Sequence, residues 1–116
     1  MSYLLLIIEP RGQREARSDA EARACYAEMV AFGESLGDKL LASESLRPDS
    51  HGVRVQMQHA KPQLRDGPFA EAREMIGGFF MIDCASMDEA VAIAQACPAA
   101  RFATVEVREC APCFVA

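Results

Sequence analysis

An α+β domain is the fold class this sequence predicts, and three observations carry the prediction. Two apolar runs lead into serine-headed helix signals, at Ser18-Asp19-Ala20-Glu21 and Ser86-Met87-Asp88-Glu89. Two stretches, Val53 to Gln58 and Ala103 to Arg108, alternate apolar with polar residues, as strands with one buried and one wet face do. Turn residues separate these segments, at Arg47-Pro48-Asp49-Ser50 and Asp66-Gly67-Pro68. The order that results is β, α, β, β, a loop with an extra short strand or hairpin, β, α, β. That is the split βαβ, or ferredoxin-like, pattern.

Tyr3 to Ile8 is continuously apolar and rich in branched side chains, which fits a central strand covered on both faces. At Ser18 the hydroxyl and the Glu21 carboxylate can each satisfy an orphan backbone donor, so a helix is expected from Asp19 to Leu36. Ala22, Cys25, Tyr26, Met29, Phe32, Gly33 and Leu36 recur along it as one apolar stripe, and Gly37 can supply a left-handed cap. Lys39 to Leu46 is the second strand and Val53 to Gln58 the third. His59-Ala60-Lys61-Pro62 then turns the chain into a short return segment around Gln63 to Arg65.

From about Gly78 to Cys84 another strand is expected, with Gly77-Gly78 marking a bulge or a close backbone approach. Met87, Ala90, Val91, Ala94 and Cys97 form the stripe of the second helix, which Pro98 stops. Ala103 to Arg108 is the last strand. Both helices should cover one sheet face. The other face then lacks a cover from the same chain, and two copies packed sheet to sheet would supply it.

The 116 residues are expected to form one domain over 1–116, with 110–116 as a short tail. A net charge of −5 argues against a nucleic-acid partner, because Lys and Arg carry phosphate binding. Arg11, Arg14 and Arg17 are the exception, read as a solvated loop with an anion-binding rim as the alternative. No run is long enough to span a bilayer, so no membrane partner is expected. The Met-Ser-Tyr start leads straight into a strand without a basic leader or cleavage site, which suits a cytoplasmic protein beginning at this residue.

Five cysteines, an odd count, are expected as reduced thiols. Cys25, Cys84 and Cys97 fall in apolar patterns and read as small core residues. Cys110-Ala111-Pro112-Cys113 is a CxxC that follows a strand instead of opening a helix, so thiol redox or metal chemistry is a minor reading. His51 and His59 lack a second ligand at metal spacing, so no metal and no cofactor are expected.

The segment from Asp66-Gly67-Pro68-Phe69 to Glu74, continuing into Ile76-Gly77-Gly78-Phe79-Phe80, resembles the signature of the YCII-related superfamily, in its DGPF branch. Tyr3 to Ile7, Asp88-Glu89-Ala90, Pro98 to Arg101 and Val105 to Arg108 extend the resemblance over nearly the whole chain. The resemblance implies a homodimer in which two ferredoxin-like sheets form a dimeric α/β barrel around a cleft. In the broader group a first-helix histidine and a loop aspartate look like a catalytic pair. Here Asp66 matches the aspartate, but Asp19 to Leu36 contains no histidine, so the pair is not carried over.

Asp66 is the candidate catalytic residue, as a loop carboxylate aimed into the cleft; its structural alternative is a turn residue binding nearby backbone donors. Phe69 and Arg101 are candidate ligand contacts. Phe69 would wall a pocket or plug the core, and Arg101 would bind a substrate carboxylate or make a surface ion pair. The leading function is small-molecule binding in a dimer cleft, with lyase- or isomerase-like activity. A non-enzymatic regulatory or ligand-binding module is the alternative.

Overall fold

Residues 1–116 are described by a computed structural model. Strands β1 (Ser2–Pro10), β2 (Leu40–Ser45), β5 (Glu74–Asp83) and β6 (Thr104–Glu109) form one antiparallel sheet in the order β2-β5-β1-β6. Strands β3 (Val53–Gln58) and β4 (Lys61–Asp66) form a separate hairpin. Helices α1 (Asp19–Ser35) and α2 (Met87–Ala96) follow β1 and β5.

The period-two geometry of β1 divides its side chains between two environments. Tyr3, Leu5, Ile7 and Glu9 are buried on the helix side, whereas Leu4, Leu6 and Ile8 are only half-buried on the other. The expectation that both faces of β1 are covered therefore holds for the helix side alone. Leu5 packs between Phe80 and Val107, and with Tyr3, Ile82, Phe32, Ala90, Ala94 and Cys97 it makes the core. Phe32 meets Phe80 edge to face at 5.1 Å. Leu5 and Ile82 are fully buried, each worth about 1.5–3 kcal/mol of removal from water.

Both helix starts carry the predicted serine caps. Ser18 and Glu21 complete the reciprocal box. At α2 the Ser86 hydroxyl accepts from Glu89 N, but the Glu89 carboxylate accepts from Ala85 N and Lys39 Nζ, both at 2.9 Å, so that box is half formed. Lys39 holds the carboxylate away from the cap.

Three expectations change. β5 begins at Glu74, four residues earlier than expected, because β1 stays paired to it as far as Pro10. Gly77 is the extra residue of a bulge between Ile7 and Ile8, the irregularity that Gly77-Gly78 signalled. The short return segment is a full six-residue strand, and its hairpin stands clear of the core, with Val53, Val55, Met57 and Leu64 all more than half exposed. Finally, only Phe32 and Gly33 of α1 are buried. Its first half lifts off the sheet, leaving Cys25 half-buried and Tyr26 62% exposed instead of in the core.

The hairpin and the open sheet face leave the chain extended. Its radius of gyration is 16.0 Å, against about 13 Å for a compact chain of this length.

Candidate functional site

The loop that carries the family-like motif is a clamp between three segments. Asp66 ends β4 opposite Val53 and is exposed. Gly67 donates its N–H to Gly52 O at 2.9 Å, and a Cβ there would lie 1.7 Å from Asp49 O, so only glycine fits. Phe69 is buried beneath the Arg54 guanidinium, 3.8 Å from its ring centre, and Phe69 N donates to Asp49 Oδ2 at 3.3 Å. Arg11 grips Asp49 with both terminal nitrogens, one at 2.9 Å, and also donates to Ala72 O at 2.7 Å and Phe69 O at 3.1 Å. The Arg11 hydrogen bonds hold the Asp49 carboxyl below its ordinary pKa.

Arg54 and Arg65 face each other across the hairpin, a like-charge pair that Glu71 offsets by binding both. The hydrogen bond from Arg65 pulls the Glu71 carboxyl down to about 2.

A cavity of about 620 Å³ opens beside this clamp, walled by Phe69 with Ile8, Ile76, Asp49 and His51. Asp66 is not part of its wall. Of its charged groups, Asp49 is held by Arg11, and Arg54 is stacked on Phe69. Because Ile8 and Ile76 belong to the uncovered sheet face, a partner packed on that face would border this space. Arg101 lies elsewhere, exposed, with its guanidinium on Glu28 and its Nε 3.3 Å from Pro98 O. The structure does not bring Asp66, Phe69 and Arg101 together. Asp66→Asn is therefore expected to leave the melting temperature within a few degrees, as exposed substitutions do. Thermal unfolding checks it, and loss of the fold would give Asp66 a structural role.

Arg14 and Arg17 are also occupied. Arg14 Nε lies 2.6 Å from Glu9 Oε1, while its other nitrogens donate to Leu46 O at 2.7 Å and Gly77 O at 3.1 Å. Arg17 donates to Gln13 Oε1 at 3.2 Å and stacks on Phe102 at 4.8 Å. The arginine cluster thus ties the β1–α1 loop to its surroundings, and no free cationic rim remains. Cys110 and Cys113 are exposed free thiols.

Where α1 lifts away, a second cleft of about 320 Å³ runs between its first half and the sheet. Ala22, Cys25, Tyr26, Met29, Phe80 and Phe102 give it mostly apolar walls, and Glu9 and Arg14 stand at one end. The Glu9 side chain is only 8% exposed. Arg14 Nε and Glu9 Oε1 form a close ion pair, and that oxygen is sealed from solvent. A Cβ at Gly77 would stand 2.3 Å from Glu9 Oε2, so the glycine leaves the carboxylate its place. Glu9 went unread as a site residue, although it continues the alternation of Tyr3, Leu5 and Ile7 onto the helix side.

Comparison with known proteins adds the following. The model of the YCII-related domain matches residues 1–113. Uncharacterized protein R00369 of Rhizobium meliloti (strain 1021) is 50% identical over 97 residues, covering 82% of this chain and 78% of that protein. Among solved structures, 5-chloro-2-hydroxyhydroquinone dehydrochlorinase from Burkholderia phenoliruptrix AC1100, in complex with 2,5-dihydroxybenzoquinone, is similar with a TM-score of 0.57. It is 19% identical, and the match covers 96% of this chain and 94% of that one, a likeness of fold. That fold is a mixed α+β one with an antiparallel sheet and two helices, and no helix is long and apolar enough to cross a membrane. With a family model matched over 113 of its 116 residues and a relative half identical to it, this chain belongs to the YCII-related family.

Proposed function

We propose that the protein binds a small molecule in the cleft under α1, and that it works as a homodimer whose ferredoxin-like sheets pack face to face as a dimeric α/β barrel. The observation that carries the binding site is the separation of α1 from the sheet. Its apolar stripe, Cys25, Tyr26 and Met29, lines an open cleft where a core would otherwise close. Apolar walls with a few polar groups at one end are the ordinary makeup of a small-molecule site. The ring compound bound by the structurally similar dehydrochlorinase is of a size that suits such a cleft.

The dimer is supported by surface area. The chain exposes 7917 Å², whereas a compact protein of 12.7 kDa exposes about 6,200 Å². The excess of about 1,700 Å² exceeds what one partner contributes to a standard interface, about 800 Å².

Glu9 is the buried carboxylate at the end of the cleft, the type of group a lyase- or isomerase-like step uses to take a proton. A non-enzymatic ligand-binding role is the second reading, favoured by Arg14 already neutralising that carboxylate. Asp66, Phe69 and Arg101 stand outside this cleft, and a role for Asp66 and Phe69 would belong to the larger space beside the open sheet face.

Titration with 2-naphthol, followed by backbone amide shifts, tests the location. Shifts are expected at Cys25, Tyr26, Met29 and Phe102, and Ala22→Trp, which fills the cleft, should abolish them. Shifts clustered at Phe69 and His51 would move the site to the larger cavity.

A further inference from the structure

Resting on the face-to-face dimer proposed above, we infer that the hairpin of β3 and β4 is an arm that lays its apolar face on that same second copy of this chain. The register puts Val53, Val55 and Met57 on one face, with Asp66, Leu64 and Pro62 opposite them. Arg54, Gln56 and Gln58 share the other face with Arg65, Gln63 and Lys61. A hairpin that serves its own core turns its apolar face inward and its polar face to water. Here the orientation is reversed. Arg54 and Arg65 turn inward over Phe69, 3.8 and 5.4 Å from its ring centre, and Glu71 binds both. Val53, Val55, Met57 and Leu64 are thereby left to solvent.

Such an arm gains little stability from itself. β3 and β4 pair only with each other, and a lone two-stranded hairpin is marginally stable in water. Its two-residue turn holds His59 and Ala60 at φ of 52° and 63°, a region that alanine enters at a cost. A cover over the apolar face offsets both.

Three observations make that cover a second copy. The base of the arm and the open sheet face meet in the cavity walled by Gly52, Arg54, Ile8 and Ile76, so a chain packed on the sheet also borders the base of the arm. The excess surface of about 1,700 Å² is about twice the roughly 800 Å² that one partner gives to a standard interface, enough for the sheet face and the arm together. Between Asp66 and the tip the face carries no charge, which suits an apolar protein surface and not a nucleic acid.

Mixed dimers of isotope-labelled and unlabelled chains test the contact directly. Isotope-filtered NOE spectra should show cross-subunit contacts from the methyls of Val55 and Leu64 as well as from those of Leu6. Val55→Asp should raise the dimer's dissociation constant about hundredfold, since its short side chain cannot carry the charge out of an apolar contact. Gln56→Asp puts the same residue on the arm's other face, and should leave that constant within about threefold of the wild-type value.

Contacts from Leu6 with none from Val55 or Leu64, or a Val55→Asp dimer as tight as the wild-type one, would overturn the arm and leave the sheet-face dimer standing. A wild-type chain that stays single would overturn both. Wild-type assemblies of four chains that Val55→Asp reduces to two, with the dimer's constant unchanged, would show the arm meeting a different copy and overturn its place in this dimer.

Discussion

Leu6→Asp should convert the protein from a pair of chains into single chains of 12.7 kDa. Leu6 lies at the middle of the open sheet face, between Leu4 and Ile8 along β1 and beside Phe79 on β5. In a lone chain this face is half-exposed, so a carboxylate there keeps contact with water and costs little. In a face-to-face dimer the same carboxylate would be driven out of water, which costs several kcal/mol even with Arg108 diagonal to it on β6. Glu106, directly opposite Leu6 on β6, adds like-charge repulsion. Sedimentation equilibrium at micromolar concentration should return two chains for the wild-type protein and one for Leu6→Asp, with the variant's helical circular dichroism retained. A wild-type monomer, or a variant that still pairs, would rule out this face as the interface.

The elements were legible because each is written locally. The serine caps at Ser18 and Ser86, the alternation from Val53 to Gln58, and the turn at Asp66-Gly67-Pro68 depend on neighbours in sequence, and these elements fall within a few residues of their expected bounds. The site was less legible because it depends on how the elements sit on one another. The stripe of α1 has the spacing of a buried face along its whole length, yet only its second half reaches the sheet, and no local pattern distinguishes a stripe that packs from one that lines a cleft.

Glu9 illustrates the same limit from the other side. Its burial followed from the period of β1, but a carboxylate at a strand end reads as an exposed terminus until the β1–α1 loop is seen to fold Arg14 over it. Asp66 drew attention as the charged member of a conspicuous motif, whereas the acid engaged in the clamp is Asp49, from a turn that carries no motif of its own.

Gly67→Ala should be among the most damaging single changes in the chain, and it separates the two uses of the motif loop. The methyl would lie 1.7 Å from Asp49 O and 2.7 Å from Asp49 C. Both are backbone atoms, so no side chain can swing aside, and either the turn at Asp49 or the loop before Phe69 must move. Movement there breaks the Gly67 to Gly52 hydrogen bond and pulls Phe69 away from Asp49 and Arg11, which together anchor the loop to the end of β1. Forcing volume into a packed site without room to relax costs roughly 3 kcal/mol or more, a fall of about 10 °C in melting temperature for a chain of this size.

The effect on binding should be different. The cleft under α1 shares no wall residue with Gly67, Phe69 or Asp49, so at a temperature where the variant is still folded, its affinity for 2-naphthol should stay within about twofold of the wild-type value. A wild-type melting temperature in Gly67→Ala would show that the clamp contributes little. A folded variant that had lost 2-naphthol binding would instead make the motif loop part of the ligand site and return Asp66 and Phe69 to the centre of its chemistry.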